Sequence, residues 1–317
     1  MSVFLATSRS FGAGTRDLTA ELTAAGHEVL RGPADHDLEA LGPYLHRAEA
    51  WIAGTGAITD AHLGIAPHLR VIARYGVGVE AVDIAAATRR GIVVTNTPGA
   101  NADAVADHAV GLMLTSLRHI VDGDRRVRQG DWAARRGREL GALRIGIVGF
   151  GRIGQGVARR LSGFGSTVTA YDPCLPADLF EPLGAMRADL DELFRTSDVV
   201  TLHAPGGQSV ADSTRLALLP YGAVLINTAR PDLVDEEAVA VALRSGALSA
   251  FAGDVLTGDT AGHDSPLLAA DLADRVVVTP HLGAQTIQAV DNMGTIALEN
   301  ALAVINGGVP THPVTAG

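Results

Sequence analysis

The feature that most constrains the fold is an alternation of short apolar runs with helical patterns along nearly the whole chain. The run SVFLAT (2–7) predicts a strand. The stretch TRDLTAELTAAG (15–26) predicts a helix, because its apolar residues recur near every 3.6 positions and Gly26 follows as a stop. Further strands are predicted at HEVL, AWIAG, RVIARYG and IVVTN. Strands that alternate with helices form a parallel sheet covered on both faces.

The alternation is interrupted once and then restarts. Pro98 breaks it, and a long apolar helix is predicted over residues 102–120 with Asn101 as its N-cap. The pattern resumes at RIGIVGFG, and later strands are predicted at TVTAYD, DVVTLHAP, AVLIN, SAFAGD and RVVVTP. A last helical pattern covers residues 285–306. The sequence therefore predicts an α/β protein with two halves, each built on a parallel sheet.

Composition argues against several classes of function. The 317 residues carry a net charge of −10, which repels polyphosphate and disfavours a nucleic-acid partner. The single cysteine, Cys174, leaves no internal disulfide and no cysteine-based metal site, and it fits a reducing compartment. We find no signal peptide and no apolar run of the ~20 residues that a membrane span needs. We expect a cytoplasmic protein with no metal ion and no membrane partner.

The stretch IGIVGFGRIGQGVARRL predicts a dinucleotide site. Its glycines Gly149, Gly151 and Gly154 form G-x-G-x-x-G between an apolar strand and a helix, which permits a tight turn, close approach of a pyrophosphate and close packing. Asp172 ends the next strand, 18 residues after Gly154, where a carboxylate accepts hydrogen bonds from both ribose hydroxyls and repels a 2′-phosphate. The sequence favours NAD over NADP. The alternative is the same fold with a different nucleotide site.

Three later segments place reactive side chains just after predicted strands. Arg230 follows AVLIN, His281 follows RVVVT, and the acidic stretch GDVLTGDTAGHDSP follows SAFAG. Open α/β sheets bind ligands at the carboxyl ends of their strands. An arginine fork pairs with a carboxylate, and a histidine passes a proton near neutral pH. The combination points to a 2-oxo or 2-hydroxy acid as substrate.

Six stretches together are specific for one family: ARYGVGVEAVD (73–83), RRGIVVTNTPGAN (89–101), GIVGFGRIGQGVARRL (146–161), LHAP (202–205), NTARPDLVDEEAV (227–239) and TPHLGAQT (279–286). Over essentially its full length the chain resembles the D-isomer-specific 2-hydroxyacid dehydrogenases. The resemblance implies two Rossmann-like or flavodoxin-like parallel-sheet domains with a cleft between them. Residues 1–98 and 287–317 would form the substrate-binding domain, residues 99–286 the NAD-binding domain, and the long helix would help to form a homodimer.

The resemblance also implies roles for single residues. Arg230 would bind the substrate carboxylate and the reacting oxygen, His281 would be the acid/base, and Asp254 would hold the nicotinamide amide. The family places a glutamate where this chain has Asp259, whose stem is one methylene shorter, so its reach to His281 is in question. His108, in the long helix, is interpreted as a packed or interface residue. The remaining cofactor-binding residues implied are Gly149, Gly151, Arg152, Ile153, Gly154, Asp172, His203, Ala204, Pro205, Thr228, Ala229 and Gly283.

Within the family, the motifs are closest to 3-phosphoglycerate dehydrogenases. Arg74 matches a residue that reads the substrate phosphate and Asn101 a substrate-side asparagine, but a second phosphate-reading arginine aligns with Gly54. Arg135 and Arg136 resemble a basic pair that reaches the neighbouring subunit's site. The substrate-binding residues implied are Arg74, Val77, Gly78, Asn101 and Arg230.

The function expected is NAD-dependent interconversion of a small anionic 2-oxo acid and its D-2-hydroxy acid. A substrate that carries a phosphate or phosphonate group is consistent with the motifs. The alternatives are a glyoxylate or hydroxypyruvate reductase, a formate- or phosphite-type dehydrogenase, and a non-enzymatic NAD sensor similar to the corepressors of this fold.

Overall fold

The computed structural model describes residues 1–258 and 264–315. The chain divides into two compact units, which we call unit 1 and unit 2. Unit 1 comprises Met1–Asn101 together with the chain from Ala284 onward, and unit 2 comprises Ala102–Gly283. The boundaries expected from the sequence, 98/99 and 286/287, each lie three residues from these.

The elements are numbered in chain order. The strands are β1 Val3–Ala6, β2 Glu28–Arg31, β3 Ala50–Ala53, β4 Val71–Arg74, β5 Val93–Thr95, β6 Arg144–Val148, β7 Thr167–Tyr171, β8 Met186–Arg187, β9 Val199–Leu202, β10 Ala223–Asn227, β11 Leu248–Gly253, β12 Val276–Val278 and β13 Pro313–Val314. The α-helices are α1 Leu18–Ala24, α2 Leu38–Leu45, α3 Asp60–Gly64, α4 Ile84–Arg89, α5 Ala102–Leu117, α6 Ile120–Arg128, α7 Arg152–Ser162, α8 Leu190–Thr196, α9 Ser213–Leu216, α10 Glu236–Ser245 and α11 Ile287–Ile305.

Unit 1 is built on a six-stranded sheet in the order β13-β5-β4-β3-β1-β2. All neighbours pair in parallel except β13, which pairs antiparallel with β5. Every residue of β3 and β4 is buried, which explains why these segments are continuously apolar apart from Arg74. The side chains of Asp17, Asp37 and Asp83 cap the helices α1, α2 and α4.

Unit 2 is built on a seven-stranded parallel sheet in the order β12-β11-β10-β9-β6-β7-β8. Helices α5 and α7 pack on one face around Met113, Phe150 and Leu161. Helices α8 and α10 pack on the other face around Phe194 and Leu243. The strand order reverses between β6 and β9, so the carboxyl ends of these two strands flank a crevice. The predicted α/β class with two parallel sheets is confirmed.

The helix predicted over residues 102–120 is present as α5, but it ends about three residues early, at Leu117. His119 takes a left-handed conformation with φ +54° before a second helix, α6, which was not predicted, begins at Ile120. The predicted N-cap is also absent: the side-chain oxygen of Asn101 accepts no hydrogen bond from the described residues. Apolar periodicity could not reveal a break made by the backbone of one residue.

Two features are absent from the part of the chain that the structure describes. Within residues 1–258 and 264–315, no helix is both long enough and apolar enough to cross a bilayer. The same residues contain no cluster of three His, Cys, Asp or Glu side chains that could hold a metal ion.

Candidate active site

The glycine-rich turn between β6 and α7 lies at the switch point of the unit 2 sheet. Gly149 has φ +87°, and a Cβ built on it would come within 2.6 Å of the amide nitrogen of Ala204. A Cβ at Gly154 would overlap the carbonyl oxygen of Gly149. A Cβ at Gly151 would meet no atom within 4 Å. Two of the glycines are therefore required by packing, and the third leaves open space beside the turn.

The N-terminus of α7 adjoins this open space. Its N-cap is Gly151, which offers no side-chain oxygen to the first amides of the helix. Helix N-termini attract anions, because their amides point outward and the peptide dipoles add a partial positive charge. Arg152 is exposed on the first turn and Ile153 is half-buried. The turn therefore fits the pyrophosphate of the dinucleotide that the sequence predicts.

Asp172 follows β7 and lies beside the glycine turn. Its Oδ2 accepts a hydrogen bond from the amide of Phe150 at 2.8 Å, and its Oδ1 accepts one from the amide of Cys174 at 2.9 Å. Each carboxylate oxygen has two acceptor positions, so each can take one further donor. This arrangement orients the carboxylate and fits the two hydroxyls of a ribose.

His203 follows β9 on the other side of the crevice, with Ala204 and Pro205 next in the chain. Its Nε2 lies 2.9 Å from Oγ1 of Thr201, and its Nδ1 lies 3.5 Å from Oγ1 of Thr228. Burial lowers the pKa of His203 to about 3, so the imidazole is neutral at physiological pH. A neutral ring suits packing against a base better than pairing with a phosphate, in keeping with its expected position beside adenosine.

Arg230 follows β10 in a turn that Asn227 braces. Asn227 is the last residue of the strand and is only 1% exposed. Its side-chain oxygen accepts a hydrogen bond from the amide of Ala229 at 3.0 Å, and its side-chain nitrogen donates to the carbonyl of Arg230 at 2.8 Å. The backbone is therefore held on both sides of the arginine. The motif NTARPDLVDEEAV begins with Asn227 but predicted no role for it, although asparagine commonly braces the turn that follows it.

Asp254 follows β11 and is 3% exposed. Its Oδ1 accepts hydrogen bonds from the Thr279 hydroxyl at 2.5 Å and the Leu282 amide at 2.9 Å, and its Oδ2 accepts one from the Gly283 amide at 2.8 Å. Burial by itself would raise the pKa of Asp254, but these bonds, together with one from His108, outweigh burial and lower the pKa. The carboxylate is therefore ionised and held in place.

His281 lies three residues after β12, in a loop that wraps around Asp254. Its amide is shared between the carbonyl oxygens of Thr279 at 2.9 Å and Asp254 at 3.1 Å. Its φ of +52° is uncommon for a residue with a Cβ. The hydrogen bonds of this loop hold His281 in that conformation and so fix where its side chain starts.

The three loops that carry Arg230, Asp254 and His281 are neighbours, because β10, β11 and β12 are adjacent in the sheet and parallel. They are also bonded to one another: the Asp254 amide donates to the carbonyl of Asn227 at 2.9 Å, and the His281 amide donates to the carbonyl of Asp254. The structure thus brings these three predicted residues to one edge of the sheet. The fourth predicted residue, Asp259, lies outside the described residues.

The predicted substrate residues of unit 1 form a separate group. Arg74 is 7% exposed, and its Nη1 donates to the carbonyls of Ala53 at 3.2 Å and Tyr75 at 2.6 Å. Val77 is 38% exposed on the following loop, beside Gly78. These contacts show that Arg74 supports the backbone of this loop. Its role in reading a phosphate stays a prediction, as does the substrate role of Asn101.

Unit 1 also contains a cavity of about 530 Å³ at the carboxyl ends of β1 and β2. The Nη2 of Arg31 donates to the Phe11 carbonyl at 2.8 Å and the Thr19 hydroxyl at 2.6 Å, which fixes the guanidinium. The polar residues that line the cavity are Thr7, Ser8, Arg9, Arg31 and Asp35. Because two arginines and a single carboxylate, that of Asp35, line the cavity, its charge favours binding of an anion. The sequence carried the signal, because Arg9 and Arg31 both follow or end apolar strands, as Arg230 does.

The glycine turn and Asp172 define unit 2 as a dinucleotide-binding domain. The family model described as "D-isomer specific 2-hydroxyacid dehydrogenase, NAD binding domain" matches residues 110–283, more than half of the chain, and the chain belongs to this family. The resemblance found in the motifs is therefore confirmed. So is the prediction of NAD as cofactor, because the matched model describes an NAD-binding domain.

Two relatives of this chain carry names that point to different substrates. The chain is 38% identical over 265 residues to the D-3-phosphoglycerate dehydrogenase of Archaeoglobus fulgidus, a match that covers 82% of this chain and 50% of that one. It is also 38% identical over 259 residues to the glyoxylate reductase of Pyrococcus furiosus, a match that covers 77% of this chain and 75% of that one. The crystal structure of the TT0316 protein from Thermus thermophilus superposes with a TM-score of 0.87 at 34% identity, covering 99% and 100%. The chain spans about half the length of the phosphoglycerate dehydrogenases it matches.

Proposed function

We propose that the protein is an NAD-dependent dehydrogenase that interconverts a small anionic 2-oxo acid and its D-2-hydroxy acid. The observation that carries the proposal is the placement of Arg230, Asp254 and His281 at adjacent strand ends of the NAD-binding domain. A fixed cation, an ionised carboxylate and a histidine that can exchange a proton are the groups this reaction requires.

The residues act as follows in this proposal. The Arg230 guanidinium pairs with the substrate carboxylate and stabilises negative charge on the reacting oxygen. His281 gives a proton to that oxygen during reduction and takes it back during oxidation. Asp254 holds the loop of His281 and, as the family implies, orients the carboxamide of the cofactor. Asp259 would fix the orientation of the His281 ring.

NAD, when bound, supplies or accepts the hydride. The amides of Gly151, Arg152 and Ile153 would hold its pyrophosphate, and the Asp172 carboxylate would bind the adenosine ribose. The residues that would line the rest of the cofactor are His203, Ala204, Pro205, Thr228, Ala229 and Gly283.

We favour a substrate with a second anionic group, a phosphate or phosphonate. The name of the phosphoglycerate dehydrogenase relative agrees with such a substrate. The alternative is reduction of glyoxylate, which the second relative's name suggests and which has no second anion to place.

A screen of 2-oxo acids tests the proposal. The purified protein would be assayed for NADH oxidation with glyoxylate, hydroxypyruvate, 2-oxoglutarate, phosphonopyruvate and 3-phosphohydroxypyruvate. We expect the highest kcat/KM with a phosphorylated or phosphonate-bearing acid. Turnover of glyoxylate alone would establish the alternative, and no turnover with any 2-oxo acid would refute the dehydrogenase in favour of an NAD sensor.

We also propose a cytoplasmic homodimer. Trp132 is 80% exposed and Ile120 is 53% exposed in unit 2, and large apolar side chains at this exposure favour an interface. The exposed free thiol of Cys174 fits a reducing compartment. Light scattering after size exclusion should give twice the chain mass of 32.7 kDa, and the mass of a monomer would refute the dimer.

A further inference from the structure

A half-buried histidine on α5 contacts the loop of residues 279–283, which we call the His281 loop. The side chain of His108 is 17% exposed, and its Nε2 lies 2.9 Å from Oγ1 of Thr279 and 3.4 Å from Oδ1 of Asp254. Helix α5 packs against β10, β11 and α7, so His108 projects from a firmly held element. The sequence pattern predicts only a packing or interface role for this residue.

The directions of the hydrogen bonds follow from the chemistry of the partners. Asp254 is ionised and can only accept, so the Thr279 hydroxyl, 2.5 Å away, donates to it. The single hydroxyl proton is then used, and the Thr279 oxygen must accept from the imidazole. His108 therefore carries a proton on Nε2, and a chain of hydrogen bonds runs from His108 through Thr279 to Asp254.

Asp254 passes this constraint on to the His281 loop. Its carboxylate accepts from the amides of Leu282 and Gly283, and its carbonyl accepts from the amide of His281. Because φ of His281 is +52°, the loop would relax to a commoner conformation if these bonds weakened. The carboxylate is thus the point at which α5 and the loop are joined.

We propose that His108 is a positioning residue for His281, acting through Thr279 and Asp254. Its kinetic consequence rests on the proposed acid–base role of His281, whereas its effect on the loop does not. Loss of the Nε2 N–H removes this donor from the Thr279 oxygen. The loop then opens more often, and the histidine spends less time where it can exchange a proton with substrate.

Two variants test the proposal, with hydrogen exchange of residues 279–283 as the first measurement. His108→Leu removes the donor, and we expect the Leu282 and Gly283 amides to exchange roughly tenfold faster. His108→Gln keeps an N–H donor of similar reach and should exchange nearly as slowly as the wild type. In turnover, His108→Leu should lower kcat roughly tenfold with less than about threefold change in KM for NADH, and His108→Gln should restore most of kcat.

Asp107→Asn is the matched control, since Asp107 is the preceding residue of α5 but is 69% exposed and pairs with Arg160. It should change neither exchange nor kcat. Unchanged exchange in His108→Leu, or equal loss of kcat in the Leu and Gln variants, would overturn the proposal. If His108→Leu does not fold, His108→Phe, which keeps an aromatic ring but has no N–H donor, decides by the same exchange measurement. A wild type without turnover would refute the proposed function, while the exchange comparison would still decide the role of His108.

Discussion

At the scale of single residues, the site depends on backbone positions as much as on side-chain types. His281 could be picked from the sequence because a histidine directly after a strand can exchange protons at a ligand site. Its left-handed φ of +52° could not be anticipated, because the hydrogen bonds of its amide to the carbonyls of Asp254 and Thr279 form in the folded chain. The same bonds explain why this residue, rather than a neighbour, is held at the sheet edge.

His281→Asn tests the acid–base role, and asparagine is chosen because it tolerates a left-handed backbone. We expect kcat to fall by about 10²–10⁴-fold, since an amide does not exchange a proton at neutral pH. The Kd for NADH, measured by fluorescence titration, should stay within about threefold. His68→Asn, at an exposed position in unit 1, is the control. Turnover close to that of the wild type would remove His281 from the proton transfer.

At the scale of elements, apolar runs predicted most strands well because a buried parallel strand must be apolar on both faces. The two-residue strands β8 and β13 were missed, since two residues cannot show a pattern. Helix α6, which begins where the predicted helix ended, was also missed, because five of its nine residues are charged and leave little apolar pattern. The glycine turn between β6 and α7 was correctly placed, because each of its three glycines answers a different steric demand.

The glycine turn gives a prediction with a built-in comparison. Gly154→Ala places a Cβ against the Gly149 carbonyl, so we expect a loss of about 2 kcal/mol in the free energy of unfolding, or roughly 4–8 °C in Tm. Gly151→Ala meets no atom within 4 Å and has φ −72°, so Tm should be unchanged. It should nevertheless weaken NADH binding at least tenfold, because the methyl group occupies the space proposed for the pyrophosphate. Equal NADH affinity in Gly151→Ala and the wild type would contradict that placement.

At the scale of the whole molecule, each unit contains a histidine that is neutral at physiological pH. In unit 1, the Thr7 hydroxyl oxygen accepts from the Trp51 indole at 3.0 Å and the Gly54 amide at 3.2 Å, so its proton goes to Nε2 of His36 at 2.7 Å. Burial lowers the pKa of His36 to about 4 and that of His203, in unit 2, to about 3.

These two histidines predict acid sensitivity of the fold. Their folded pKa values lie below the unfolded value of 6.5, so the unfolded chain binds more protons and stability falls as pH drops through 6.5. Each should contribute about 2 kcal/mol of loss between pH 7 and pH 5. Denaturant unfolding at several pH values measures this loss. His36→Asn, which suits the φ of +60° there, should reduce the pH dependence of unit 1, and an unaltered pH dependence would exclude His36 as its source.

The order of residues was enough to establish the α/β class and the positions of most strands, and to predict the dinucleotide site and roles for Arg230 and His281. It was enough because burial, turn geometry and proton chemistry each restrict which residue can stand at a given point. How these residues are held is a property of the folded chain. His108 reaches the His281 loop because the fold packs α5 beside β11 and β12, and these elements are far apart in the chain. No local pattern records such a contact.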